Sequence, residues 1–251
     1  MQIKETFSEM TDTTTTNLPQ RPVLILGSVS FIAGAIIMIL STMIHPSGED
    51  PFNHPLVLAE YAHSELWVGI HIGQFVGTMM VFVGGFVAIY RLLANSESSV
   101  ISLLAWLGLS LTIITASTFA ILQAVDGVAL KFAVDSWMAS PEEEEKDLIF
   151  RVAEGIRWTE YGVNSVFRLL QGTVAIIFGL AIAKNLLVNR WIGVGGVIVG
   201  IFTIVAGIEV SYSAFAYPNF EGIRGISMII FLAWIVILGA AMLKKTSAKR
   251  I

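Results

Sequence analysis

Cysteine is absent from the 251 residues. That excludes disulfides, thiolate nucleophiles and thiolate metal sites. Charge is scarce: Asp, Glu, Lys and Arg make up 14% of the chain against 55% hydrophobic residues, and the mean hydropathy is +0.76. Soluble domains carry about 25% charged residues. A soluble fold of this length exposes too large a shell to hide so much apolar surface, whereas lipid covers that shell. The net charge of −4 gives no footing for nucleic acid. Also missing are a Walker loop, a dinucleotide Gly fingerprint, Gly-x-Ser-x-Gly and His-Glu-x-x-His. Their absence weighs against an ATPase, a Rossmann enzyme, a serine hydrolase and a zincin.

What is present is a series of long apolar runs. A spanning helix needs roughly 20 apolar residues. Six runs qualify or nearly so, at about 23–44, 66–90, 100–125, 161–183, 191–215 and 226–243. Backbone groups in lipid must be satisfied within the segment, so runs of this length are helices. The alternating pattern of a membrane barrel is missing. The expected fold is therefore an all-α polytopic bundle of about six spans over residues 23–243. A polar, Thr-rich tail (1–22) precedes it and a basic tail (244–251) follows. The first run is too long for a signal h-region and no cleavage site follows it, so it reads as a span.

Six spans put both ends of the chain on one side. That side collects Lys4, Arg21, Arg91, Lys184, Arg190, Lys244, Lys245, Lys249 and Arg250. The other collects Lys131, Lys146, Arg151, Arg157 and Arg224, and its loop 45–65 holds no Lys or Arg. The positive-inside rule then expects a cell-membrane protein with both termini cytoplasmic. In the loop 45–65, a helix starting at about Pro55 is expected to run into the second span. In the loop 126–160, an amphipathic piece over 128–138 is expected to lie at the interface. Pro141 followed by four glutamates marks the start of a helix that continues into the fourth span.

The fourth span is the most informative segment. Arg157, Glu160, Asn164, Arg168 and Gln171 recur every three or four residues and so form one stripe. The stripe enters the apolar run by about 10 Å at 1.5 Å per residue. Ionisable groups at such depth face other helices or a wet cavity. Two readings compete: a buried structural pair, or a polar cavity that recognises something. Other spans offer partners at the same level, namely His71, Gln74, Gln123, Asp126 and Glu209. Several helices placing costly residues in one leaflet argue for a single site. Residue types favour Arg168 opposite Glu209, because an arginine keeps its charge and wants a carboxylate.

All four histidines (His45, His54, His63 and His71) fall in one stretch, interleaved with Glu49, Asp50, Glu60 and Glu65. Histidine with carboxylate is the ligand set of zinc, manganese or non-haem iron. Glu60-x-x-His63 has the spacing of a carboxylate-bridged site, but such sites need it twice and it occurs once. The spacing therefore predicts no metal and no other cofactor, with His54, Glu60 and His63 as the weaker alternative. Gly69, Gly73 and Gly77, and Gly196 with Gly200, have the small-xxx-small spacing that lets helices approach closely. His71 falls on the face opposite the glycines, which makes the second span a central helix.

The stretches 123–137 and 154–172, with His54-Pro55 and the run from Trp67 to Gly77, resemble an uncharacterised family of small bacterial multi-pass membrane proteins. The likeness covers most of the chain after Met43. It implies a membrane location and nothing catalytic. Three functions remain in competition. One is binding or transport of a small molecule or ion through a polar pocket in the outer leaflet. Another is a membrane-embedded enzyme, with His71 or Glu160 as acid or base and a metal in support. The third is an accessory subunit whose polar stripe meets a homo-oligomeric or other membrane-protein partner.

Overall fold

The structure, a computed structural model, describes residues 20–185, 187–214 and 221–247. Among them are seven helices and no strand. They are α1 (Gln20–Met43), α2 (His54–His63), α3 (Trp67–Leu93), α4 (Ser99–Ala139), α5 (Glu143–Lys184), α6 (Arg190–Ser213) and α7 (Glu221–Ser247). All except α2 are long and apolar enough to cross a membrane. Large apolar side chains such as Leu26, Ile36, Ile114, Ile201 and Ile229 point outward from them. A surface so apolar is a lipid surface. The chain is an integral membrane protein with six spans.

The spans pack as a closed ring in the order α1, α3, α4, α5, α6, α7 and back to α1. Glycine sets the closest approaches. A Cβ on Gly172 would lie 2.5 Å from the Gly200 carbonyl, and one on Gly200 would lie 2.5 Å from that of Gly172. Only bare backbones fit between α5 and α6 there. Gly34 and Gly77 do the same between α1 and α3. Gly69, in contrast, meets nothing within 4 Å.

Several expectations change. The tail expected over 1–22 lies outside the described residues up to 19, and Gln20 to Pro22 already belong to α1. Lys244 and Lys245 belong to α7 rather than to a tail, and residues 248–251 lie outside the described residues. The helix at Pro55 forms, but it ends at His63 and does not run into the second span. The amphipathic piece is helical. It extends α4 without a break through a π-helical stretch, Ala124–Leu130. A second π stretch, Met80–Phe86, lies inside α3. Such wide turns rotate the side chains that follow them and occur often at functional positions.

Length then builds a cap. At 1.5 Å per residue, the 42 residues of α5 reach about 63 Å. A hydrocarbon core is about 30 Å thick. The start of α5 and the end of α4 therefore stand out of the bilayer as a hairpin. The short α2 packs on it through Val57, Leu58, Tyr61, Leu130, Val134 and Ala153. Lys131 Nζ donates to the Tyr61 and Ala62 carbonyls, at 3.3 and 2.7 Å. It thereby satisfies the carbonyl end of α2.

Candidate functional site

Under this cap the ring lines a half-open cavity of about 540 Å³, within the range of small-molecule sites. Each of the six spans contributes to its wall. Met38 and Thr42 come from α1, Trp67 and Gln74 from α3, Gln123 and Asp126 from α4, Thr203 from α6 and Ser227 from α7. The α5 stripe supplies Arg157, Glu160, Asn164, Arg168 and Gln171. The loop after α1, with His45, Ser47, Glu49 and Pro51, and Tyr61 of α2 close the mouth. Of the nine residues expected in a pocket, seven line this cavity: Gln74, Gln123, Asp126, Glu160, Asn164, Arg168 and Gln171. His71 stands behind Asp126. The Glu209 side chain is buried outside the wall.

The charges pair differently from the expected arrangement. Glu209 Oε2 lies 3.7 Å from Arg224 Nε, and its Oε1 accepts from Ser213 Oγ at 2.8 Å. Arg224 reaches it because α7 packs beside α6 and enters at the same level. Arg168 has no carboxylate within 4.0 Å among the described residues. Its Nε donates to Asn164 Oδ1 at 2.8 Å, one turn back on the same helix. The two Nη groups of Arg168 make no hydrogen bond among the described residues, and the side chain is half-buried against the cavity.

Arg157 is the cation that meets Glu160, at 3.5 Å, with both side chains buried. Its Nη1 donates to the Tyr61 hydroxyl at 2.9 Å. The guanidinium also stands over the Tyr61 and Tyr161 rings, 5.1 and 4.9 Å from their centroids. Burial pushes the Tyr61 phenol up from its usual range, and the Arg157 charge opposes this. Three buried polar atoms of the wall lack a hydrogen-bond partner among the described residues: Gln123 Oε1, Arg157 Nε and Glu160 Oε2. Such atoms are costly to leave unmatched, and together they present acceptors and a donor to whatever fills the space.

At the mouth, side chains from three elements converge. His71 Nε2 lies 2.9 Å from Asp126 Oδ2, and its Nδ1 lies 2.8 Å from the Trp67 carbonyl. Trp67 Nε1 donates to the Asp126 carbonyl at 3.0 Å and so fixes the π stretch of α4. Gly127 makes room for this contact, since a Cβ there would sit 2.5 Å from that of His71. His45 stacks near His71, with ring centroids 5.3 Å apart. Burial holds the His45 ring below the usual histidine range, and the Asp126 charge pulls the other way. The weaker metal alternative is not assembled. His54 Nδ1 lies 2.9 Å from Glu154 Oε1, Glu60 Oε1 accepts from the Gly48 amide, and His63 Nδ1 meets the Ala59 carbonyl of its own helix.

Spacing placed Arg157 on the polar stripe but not among the expected pocket residues, and it did not single out His45 or Tyr61 for the wall. A signal for His45 existed: it follows the end of α1, at the same end of the bundle as His71 and Asp126. No family model, no curated protein and no solved structure matches the chain.

Proposed function

We propose that this membrane protein binds a small polar solute in the cavity, as a receptor or as the central site of a carrier. The observation that carries the reading is the wall itself. Burying polar groups without partners is expensive, and intramembrane charge is retained for function as a rule. Here Arg157, Glu160 and Gln123 keep atoms without a hydrogen-bond partner among the described residues in one cavity, and Arg168 brings two Nη groups that engage none of those residues. The guanidinium fork suits a carboxylate or a similar planar anion. Glu160 and Gln123 suit hydroxyl or ammonium donors. The solute class is thus an amino acid or a short hydroxy acid. The distribution of Lys and Arg supports a cytoplasmic location for both termini, with the cavity mouth facing outward across the cell membrane.

A thermal-stability panel in detergent tests this, using single amino acids and short hydroxy- and dicarboxylic acids. A ligand held at a hundred times its Kd stabilises by about 2.7 kcal/mol. At least one compound is expected to raise the melting temperature of the wild type and to leave Arg168→Leu and Arg168→Lys unmoved. A panel in which no compound separates the wild type from Arg168→Leu would count against the reading.

A further inference from the structure

We infer that His45, His71 and Asp126 form a binding site for a divalent transition metal ion, with zinc the best fit, at the mouth of the cavity. One ligand atom from each lies within 4.8 Å of the others, and this is the one such group among the described residues. The three come from separate elements, namely the bend after α1, the first turns of α3 and the π stretch of α4. Two imidazoles with one carboxylate is a ligand set that zinc takes.

The tautomers carry the argument further. A neutral imidazole has one N–H and one lone pair. His71 Nδ1 faces the Trp67 carbonyl at 2.8 Å, so Nδ1 carries the proton. Its Nε2 is left with a lone pair that points at a carboxylate oxygen 2.9 Å away. Two acceptors face each other there, and a proton on either group or a metal ion between them resolves the contact. His45 repeats the pattern, with Nδ1 2.7 Å from the Pro46 carbonyl and Nε2 left open. Metal-ligating histidines characteristically tie their other nitrogen to a carbonyl or carboxylate, which fixes the tautomer and aims the ring. Both rings are tied in this way.

A second proton alone would explain the contact between His71 and Asp126. It gives no reason for His45 to be oriented toward them. Ligand atoms around tetrahedral zinc stand about 3.3 Å apart, given bonds of 2.0–2.2 Å. His71 Nε2 and Asp126 Oδ2 stand 2.9 Å apart and all three ligand atoms lie within 4.8 Å of one another, and His45, on a bend rather than a helix, is the member placed to adjust. His45 and Asp126 also line the cavity, so a three-ligand site leaves its fourth position facing the solute. The inference stands on these three side chains and does not depend on which solute the cavity takes.

The test uses full-length protein in detergent, freed of any affinity tag, stripped with chelator and titrated with zinc alone. About one zinc per chain is expected. His45→Ala and Asp126→Asn should weaken binding by at least about 10- to 100-fold, the loss that even an outer partner of a metal ligand produces. His63→Ala should bind as the wild type does, because His63 is exposed and among the described residues engages its own helix alone. X-ray absorption at the zinc edge of the wild type should show two imidazoles with oxygen donors, and this readout survives if a variant fails to fold. Absence of zinc after titration, binding unchanged in both His45→Ala and Asp126→Asn, or an edge spectrum without imidazole would each overturn the assignment.

Discussion

The half of the ring that contains the start of α1 and the end of α7 is held by rings and bare backbone. Phe86 sits at its centre, against Phe31 at 5.1 Å, Phe178 at 5.2 Å and Trp234 at 6.0 Å between centroids. Its hydroxyls turn back on their own helices, while Trp234 Nε1 donates to the Ile192 carbonyl of α6 at 2.8 Å. Ser28 Oγ donates to the Leu24 carbonyl, and Thr112 Oγ1 to that of Gly108. In the opposite half the same six helices carry Arg157, Glu160, Arg168, Asp126 and His71, and leave buried polar atoms unmatched. Lipid gives no hydrophobic drive for helix association, so close packing must hold the ring together. The aromatic half supplies that packing. The polar half gives some of it up for a charged cavity.

The largest effect is expected where that space is costliest. Arg157→Leu leaves Glu160 buried without its cation. Breaking a buried pair by removing one partner costs about 3–5 kcal/mol. Glu160→Leu should cost a similar amount, and the double variant should recover much of the loss. Unfolding in detergent, read for the two single variants and the double, decides it. Strictly additive losses would mean that the 3.5 Å contact carries no coupling.

Phe86→Ala breaks the other half and should cost less. The transfer part of a core truncation shrinks, because the unfolded segment still lies in lipid. The cavity part remains, at about 24 cal/mol per Å³ of space that fails to collapse, or about 2 kcal/mol for a phenyl-sized void. The comparison sharpens if zinc binding is unchanged in this variant once folded, since Phe86 touches none of the three proposed ligands. A Phe86→Ala protein as stable as the wild type would show that the aromatic cluster does not hold the ring.

The spans were legible because hydropathy over 20 residues reports the thickness of a bilayer. The polar stripe was legible because a period of three to four fixes a helix face, and all five of its members reach one cavity. The partner of Glu209 was not legible. Arg168 and Arg224 both sit at its level, and only helix order decides which one reaches it. Continuity of α4 was hidden as well. Asp126-Gly127 reads as a break, yet a backbone buried against α3 keeps its hydrogen bonds by widening into a π turn. The meeting of His45 with His71 and Asp126 joins three elements distant in sequence, and no local spacing encodes it.

The smallest perturbation asks which half faces outward. The native chain has no cysteine, so a single introduced thiol is labelled without background. Asn53 lies on the cavity side, just before α2, and Ser247 ends α7 at the opposite end of the ring. Neither substitution should measurably change stability, because Asn53 makes no side-chain cap and is exposed, and Ser247 is the last residue of its helix. Substitutions at an exposed position such as Asn53 usually stay within about 0.5 kcal/mol. If Lys and Arg mark the cytoplasmic side, an impermeant thiol reagent labels Asn53→Cys in intact cells and Ser247→Cys only after lysis. The polar half then draws its solute and its metal ion from outside the cell. The reverse pattern would turn the cavity mouth to the cytoplasm and overturn the orientation. The geometry of the cavity and of the three proposed ligands would be the same, so the two remaining questions separate cleanly: what the polar half binds, and from which side.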